Sequence, residues 1–255
     1  MAHANDNDPP RVLIVNPKGG CGKTTLATNL ATIYAHRGLV ATLFDHDPQG
    51  SSGEWLARRS SRLPPVNVVE AHQQPREGMT RSFQLRLPID TERIIEDTPA
   101  GLEPTRIGDL MRRSSVVLVP VLPSSIDMRA AAVFLTALVK IHEQRQLRAP
   151  IAVIANRVRK NTLMFKKLMK FLDEAHVPLV ATFHDMQVYV HATDMGQGVL
   201  ELGGRAAREA GQWSILVRWI EQQIAAQGED TDTHRTGEEV QVRDQPAPLS
   251  NTSPP

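Results

Sequence analysis

At 255 residues with one cysteine, the chain is long enough for one α/β domain and cannot hold an intramolecular disulfide. No apolar run could cross a bilayer, and the first ten residues lack the basic region and apolar core of a secretory signal, so a cytoplasmic protein without a membrane partner is expected. The formal charge of +1 is unevenly spread: acids in residues 1–10 and 228–255 leave residues 11–227 at +7, a basic body suited to nucleic acid.

Residues 1–10 read as a disordered leader. Arg11–Val15 is a nearly apolar strand, as expected where both sheet faces are covered. Asn16-Pro17-Lys18-Gly19-Gly20-Cys21-Gly22-Lys23-Thr24-Thr25 follows, and then a helical pattern to about Arg37, stopped by Gly38. Strand, glycine-rich turn and helix form the context of a phosphate-binding loop. Glycines let backbone N–H groups approach phosphate, and the helix directs its positive end at the same place. Lys23 would meet the β- and γ-phosphates and the Thr24 hydroxyl a magnesium ion. The loop departs from the usual G-x-x-x-x-G-K-[ST]: Pro17 stands at the first glycine, and Lys18 adds a second lysine. Taken alone, Lys18 reads either as functional or as a solvated loop residue.

Val40–Phe44 is the second strand, ending in Asp45-His46-Asp47-Pro48-Gln49-Gly50. Carboxylates at the carboxyl end of a parallel strand sit where open α/β sheets bind ligands; the same residues also suit a simple turn. A metal site of Asp45, His46 and Asp47 is disfavoured, because adjacent residues at a strand end point in opposite directions. A short helix over Glu54–Arg62 and a strand over Val66–Val69 follow. Residues 72–90, with Arg76, Arg81 and Arg86, read as a surface loop or a partner surface. Arg93–Asp97 is an apolar run ending in acids; Asp97 is assigned to magnesium, with Glu96 as the other carboxylate in reach.

Ile107–Met111 is helical, Ser115–Val121 a strand, and Met128–Arg145 a long helix. Ile151–Ala155 is a buried strand ending at Asn156, which is either a turn residue or a group able to offer donor and acceptor to a base edge. Arg157, Arg159 and Lys160 lead into a helix over Leu163–Ala175, where Lys166, Lys167 and Lys170 share one side and Leu168, Phe171 and Leu172 the other. That is an ordinary amphipathic helix or a phosphate-contacting patch that reads no base sequence. Pro178–Thr182 is the last strand. The final helix, about Arg205–Ala226, is expected to bury Trp213, Ile215, Leu216 and Trp219 and to leave Arg205, Arg208 and Arg218 for solvent or DNA. From Gly228 the tail is polar, proline-rich and expected to be disordered. The alternation of strands and helices predicts an α/β fold: a doubly wound, mainly parallel sheet with helices on both faces.

Four motifs in this order, the Lys-Gly-Gly-x-Gly-Lys-Thr-Thr loop, D-x-D-P-Q-G, D-T-P and the strand-end Asn, resemble the ParA/MinD family of deviant Walker A ATPases over residues 11–226. The likeness is nearest to its ParA-like members, which position or partition a cargo. Ala100, where a second proline is frequent, and Glu96, where the strand would usually stay apolar, depart from the pattern. The resemblance implies that Lys18, Lys23 and Asp47 are catalytic. Lys18 would reach the phosphates of a second subunit in a nucleotide-sandwich homodimer, and Asp47 would help to position the attacking water. It implies that Lys18, Gly19, Gly20, Cys21, Gly22, Lys23, Thr24 and Thr25 hold ATP, with Asn156 on the adenine, and that Thr24, Asp45 and Asp97 surround Mg2+.

The implied activity is ATP hydrolysis to ADP and phosphate, slow until a partner protein stimulates it. The ATP-bound dimer would bind non-specific double-stranded DNA, placing the protein on the nucleoid. Family cargoes include plasmids, chromosomal origins, chemotaxis clusters and carboxysomes. A MinD-like membrane ATPase would need a terminal amphipathic helix, which Leu249–Pro255 does not suggest. A relative of nitrogenase reductase would need cluster cysteines, and Cys21 alone cannot serve. A nucleotide-gated scaffold with negligible turnover is the non-enzyme alternative.

Overall fold

The computed structural model describes residues 8–73, 80, 85–158, 162–174 and 176–242; the side chains of residues 205, 207 and 229–242 are outside this set. Arg76, Arg81, Arg159, Lys160 and the Arg205 side chain therefore lie outside the described residues.

Seven strands form one sheet in the order β3-β2-β4-β1-β5-β6-β7. They are β1 (Arg11–Ile14), β2 (Ala41–Asp45), β3 (Asn67–Glu70), β4 (Arg93–Asp97), β5 (Val116–Val121), β6 (Ile151–Val158) and β7 (Leu179–His184). Every pairing is parallel, so the sheet is wholly rather than mainly parallel. Parallel strands need crossover connections, and α1 to α5 lie in five of them, while α6 and α7 follow the last strand. The helices are α1 (Lys23–His36), α2 (Ser51–Arg58), α3 (Pro104–Arg112), α4 (Ser125–Gln144), α5 (Leu163–Glu174), α6 (Gln187–Asp194) and α7 (Ala207–Val242).

Side chains alternate across the sheet and feed a separate core on each face. Val12, Ile14, Leu43, Ile95, Leu118 and Ile154 pack with Leu26, Leu30 and Tyr34 of α1, Trp55 of α2 and Trp213 of α7. Leu13, Val15, Val117, Val119 and Val153 pack with Ile107 and Leu110 of α3, Leu135 and Leu138 of α4, and Leu168 and Leu172 of α5. β1 is buried on both sides because α1 covers one face and the α3–α5 layer the other, which is why its sequence carries no polar alternation.

Two expectations change. The final helix buries Trp213, Leu216, Val217 and Ile220, whereas Ile215 is 47% exposed. Positions 213, 216, 217 and 220 follow the three- and four-residue spacing of one helical face, and 215 falls off it. The helix also runs to Val242, into the stretch from Gly228 that the sequence suggests is disordered.

Candidate nucleotide-binding site

The loop between β1 and α1 lies at the carboxyl edge of the sheet, with β4 on one side of β1 and β5 on the other. Ligand sites in open parallel sheets lie at this edge. The loop is held by its own side chains. Asn16 Nδ2 donates to the Pro120 carbonyl of β5 at 2.7 Å, while Asn16 Oδ1 accepts from the Lys18 N–H at 2.8 Å. Gly20 and Gly22 have φ of +72° and +97°, which favour glycine. At Gly22 the demand is double, because a Cβ there would stand 2.1 Å from Asn156 Nδ2.

Lys23 opens α1 beneath the loop and is 7% exposed. Its ammonium donates to the Lys18 carbonyl at 3.1 Å, which holds a cation inside the loop. Lys18 turns the other way and pairs through Nζ with Asp127 Oδ1 in the first turn of α4. Asp127 is also bound by Ser124, the N-cap of that helix. The Cys21 thiol donates to the Lys18 carbonyl at 3.3 Å, and burial pushes its pKa up, so it packs the loop as a neutral group.

Asp45 and Asp97 are register partners on adjacent strands, and both carboxylates lie on the α1 side of the sheet. Asp45 accepts from the Asp47 N–H at 3.0 Å and the Ser52 N–H at 3.1 Å, which fixes the turn between β2 and α2. Asp97 Oδ2 accepts from Ser52 Oγ at 3.2 Å, whereas Oδ1 is buried with no hydrogen-bond partner among the described residues. Burial pushes the Asp97 pKa up to about 7; Thr24 opposes the rise, Asp45 adds to it, and Ser52 and Lys23 oppose it. Burial likewise raises Asp45. A buried carboxylate with one orphaned oxygen beside a second carboxylate is short of positive charge. The donor set of Thr24, Asp45 and Asp97 is all oxygen, which suits Mg2+. Among the described residues, no group of three or more His, Cys, Asp or Glu side chains could hold a metal ion.

Glu96, the alternative to Asp97 that the sequence leaves open for magnesium, lies away from this donor set. It points to the opposite face of the sheet from Asp97, between Leu13 of β1 and Phe44 of β2. Its carboxylate is taken up by Arg11 at 2.8 Å, by His46 and by Arg113 at 3.4 Å. Burial alone would raise its pKa, but His46, Arg113 and Arg11 outweigh it and hold Glu96 at about 2.

Asp47 sits half-buried at the turn, its Oδ1 accepting from the Gln49 N–H at 3.0 Å. Asn156 closes on the loop itself: Nδ2 donates to the Cys21 carbonyl at 2.8 Å, and Oδ1 accepts from the Arg157 N–H at 2.9 Å. Its donor and acceptor are thus both engaged within the chain. The candidate DNA residues fall on two surfaces. Arg157 and Lys166, Lys167 and Lys170 are exposed, the lysines on the outer side of α5. Arg208 and Arg218 are exposed on α7, which packs against the other face of the sheet. Sequence reasoning missed Asp127 and Ser52, whose roles rest on contacts between residues distant in the chain.

A family model described as the CobQ/CobB/MinD/ParA nucleotide binding domain matches residues 12–187, from β1 into α6. The chain belongs to this family. Among MinD/ParA-type relatives, it is 27% identical to the maintenance of carboxysome distribution protein A of Halothiobacillus neapolitanus over 214 residues, 81% of this chain and 94% of that one. Its fold matches MinD of Aquifex aeolicus with a TM-score of 0.60 at 18% identity, covering 85% of this chain and 97% of that one. It matches an apo McdA structure equally well, at 14% identity over 85% of this chain and all of the other. The arrangement is thus the MinD/ParA form of the P-loop fold, with the loop on β1 at the centre of the sheet.

Proposed function

We propose that this MinD/ParA-family chain is an ATP-dependent dimerising switch. It binds DNA without sequence preference, hydrolyses ATP when a partner protein stimulates it, and so positions a cargo over the nucleoid. The observation that carries this reading is the different setting of the two loop lysines: Lys23 is buried with its ammonium on the Lys18 carbonyl inside the loop, and the Lys18 ammonium is paired outside it with Asp127. A lysine outside the cradle is what a second subunit's nucleotide requires. The similarity to a carboxysome distribution protein along 94% of its length favours a protein assembly, such as a carboxysome, as cargo.

In this scheme the loop amides from Gly19 to Thr25 and the Lys23 ammonium bind the phosphates, and Asn156 leaves the Cys21 carbonyl to meet adenine. Thr24, Asp45 and Asp97 would hold magnesium, which when bound neutralises charge on the phosphates. Lys18 exchanges Asp127 for the nucleotide of the second subunit as the dimer closes. Asp47 orients the water that attacks the γ-phosphate. Hydrolysis removes the contacts that hold the two subunits, and DNA is released.

Asp47→Ala is the direct test of turnover. It is expected to bind ATP and DNA as the parent does and to hydrolyse ATP at least ~100-fold more slowly, the scale of a lost general base or water-orienting group. Phosphate release measured with DNA and the stimulating partner checks this; parental turnover would remove Asp47 from the reaction. A scaffold without turnover is also distinguished here, because its parent form would release no phosphate.

The three lysines of α5 are the favoured DNA surface. They are exposed side by side, and among the described residues only Lys170 of the three is in an ion pair, with Glu174 at 3.8 Å. Changing Lys166, Lys167 and Lys170 together to Glu is expected to lower the salt dependence of DNA binding by about 2–3 in log–log slope and to leave ATP affinity unchanged. Titration at several salt concentrations measures the slope. An unchanged slope would move the DNA surface to Arg208 and Arg218 on α7.

A further inference from the structure

Glu96 is out of character for its strand. A carboxylate with no exposed surface in the middle of a parallel sheet is kept only where its charge is met. Here it is met three times, from three separate parts of the chain. Arg11 opens β1, Arg113 follows α3, and His46 lies between Asp45 and Asp47.

His46 is the informative partner. It is tied to β4 twice: its backbone N–H donates to the Asp97 carbonyl at 2.9 Å, and its ring Nε2 meets Glu96 Oε2. The other ring nitrogen, Nδ1, is buried with no hydrogen-bond partner among the described residues, so within that set Glu96 alone anchors the ring by hydrogen bonding. Arg11 braces the same spot, with its guanidinium 5.7 Å from the Phe44 ring centroid. One residue further on, the turn is closed by the Gly50 N–H donating to the Asp47 carbonyl at 2.9 Å. Successive residues of β4 thus act on opposite faces of the sheet. Asp97 faces the phosphate loop, and Glu96 grips the base of the turn that carries Asp47.

We propose that Glu96 is a positioning residue: by anchoring the His46 ring it fixes the turn that aims Asp47, and it sets the rate of ATP hydrolysis without contributing to nucleotide affinity. This rests on the reading of Asp47 given above. Arg113 also couples the anchor to the end of α3, so the cluster joins β4 to that helix and to the turn after β2.

The test is a set of variants read for ATP affinity and turnover separately, because a general loss of structure would lower both. His46→Ala keeps Glu96 paired with Arg11 and Arg113, so the fold is retained. It is expected to leave the dissociation constant for ATP within about 2-fold and to slow turnover by about 10-fold or more, since small misplacements of a catalytic group are costly. Glu96→Gln is expected to behave likewise. His46→Gln, whose amide can reach the Glu96 carboxylate, should recover most of the rate. His46→Ala combined with Asp47→Ala should be no slower than Asp47→Ala alone, because both changes act through one group. Parental turnover in His46→Ala and Glu96→Gln beside a slow Asp47→Ala would overturn the proposal. Effects that multiply in the double variant would overturn it too. Parental turnover in Asp47→Ala beside a slow His46→Ala would show instead that the reading of Asp47 is at fault, and would also remove the route proposed here.

Discussion

Lys23→Ala is expected to lower ATP affinity by roughly 100-fold or more. Charge-assisted hydrogen bonds contribute on the order of 1.5–3 kcal/mol each, and an ammonium placed between two phosphates makes at least two. The position offers no substitute: Lys23 is almost wholly buried, and its ammonium already rests on the Lys18 carbonyl inside the loop. Lys18 is no ready replacement, because its ammonium is paired with Asp127. Fluorescent ATP-analogue binding measures the effect, with thermal melting as a control that the loop still folds. Parental affinity would mean that the phosphates lie elsewhere.

Asp97→Asn is expected to do two opposite things. The Asp97 pKa stands at about 7 in the folded protein against an ordinary 3.8. Between those values the folded state holds a proton that the unfolded state has released, so stability falls as pH rises from about 4 through about 7. Above that window the parent carries a buried charge that Asn does not. Asp97→Asn should therefore melt higher than the parent at pH 8, by about 5 °C, and the two should converge below pH 4. The same change removes a proposed magnesium carboxylate, and turnover should fall at least ~100-fold. Melting curves against pH and phosphate release in Mg2+ check the two halves. A variant that melts lower at pH 8 and still turns over at the parental rate would place Asp97 in the framework and not in the site. The expected outcome, a gain in stability with loss of activity, is the mark of a group kept for function.

Much of this was legible in the sequence, for physical reasons. Apolar runs such as Val12–Val15 and Val116–Val119 could only be strands covered on both faces, and the glycines and lysines between β1 and α1 left few other uses for that loop. The ordering of Asp45 and Asp97 at strand ends placed both at one edge, and parallel pairing made them neighbours. What escaped reading was the partnering of charges far apart in sequence. Glu96 looked like a stray acid in a strand because Arg11 and Arg113, which neutralise it, lie 85 and 17 residues away. Asp127 gave no local sign that it would take Lys18, since the same residue also suits the first turn of a helix. Asn156, which the family resemblance puts on adenine, rests on the Cys21 carbonyl in the space that Gly22 leaves open, a contact between residues 135 apart that the sequence does not signal. Ile215 failed because a list of apolar residues does not fix the phase of a helix; the packing of Trp213 and Leu216 does.

The central claim is that nucleotide state gates DNA binding. The most direct measurement is binding of the full chain to non-specific duplex DNA with ATP, with ADP and without nucleotide, each at two salt concentrations. The account predicts binding with ATP alone, weakening steeply as salt rises. Binding that ignores the nucleotide, or no binding in any state, would contradict it and turn the switch toward a protein, membrane or small-molecule partner.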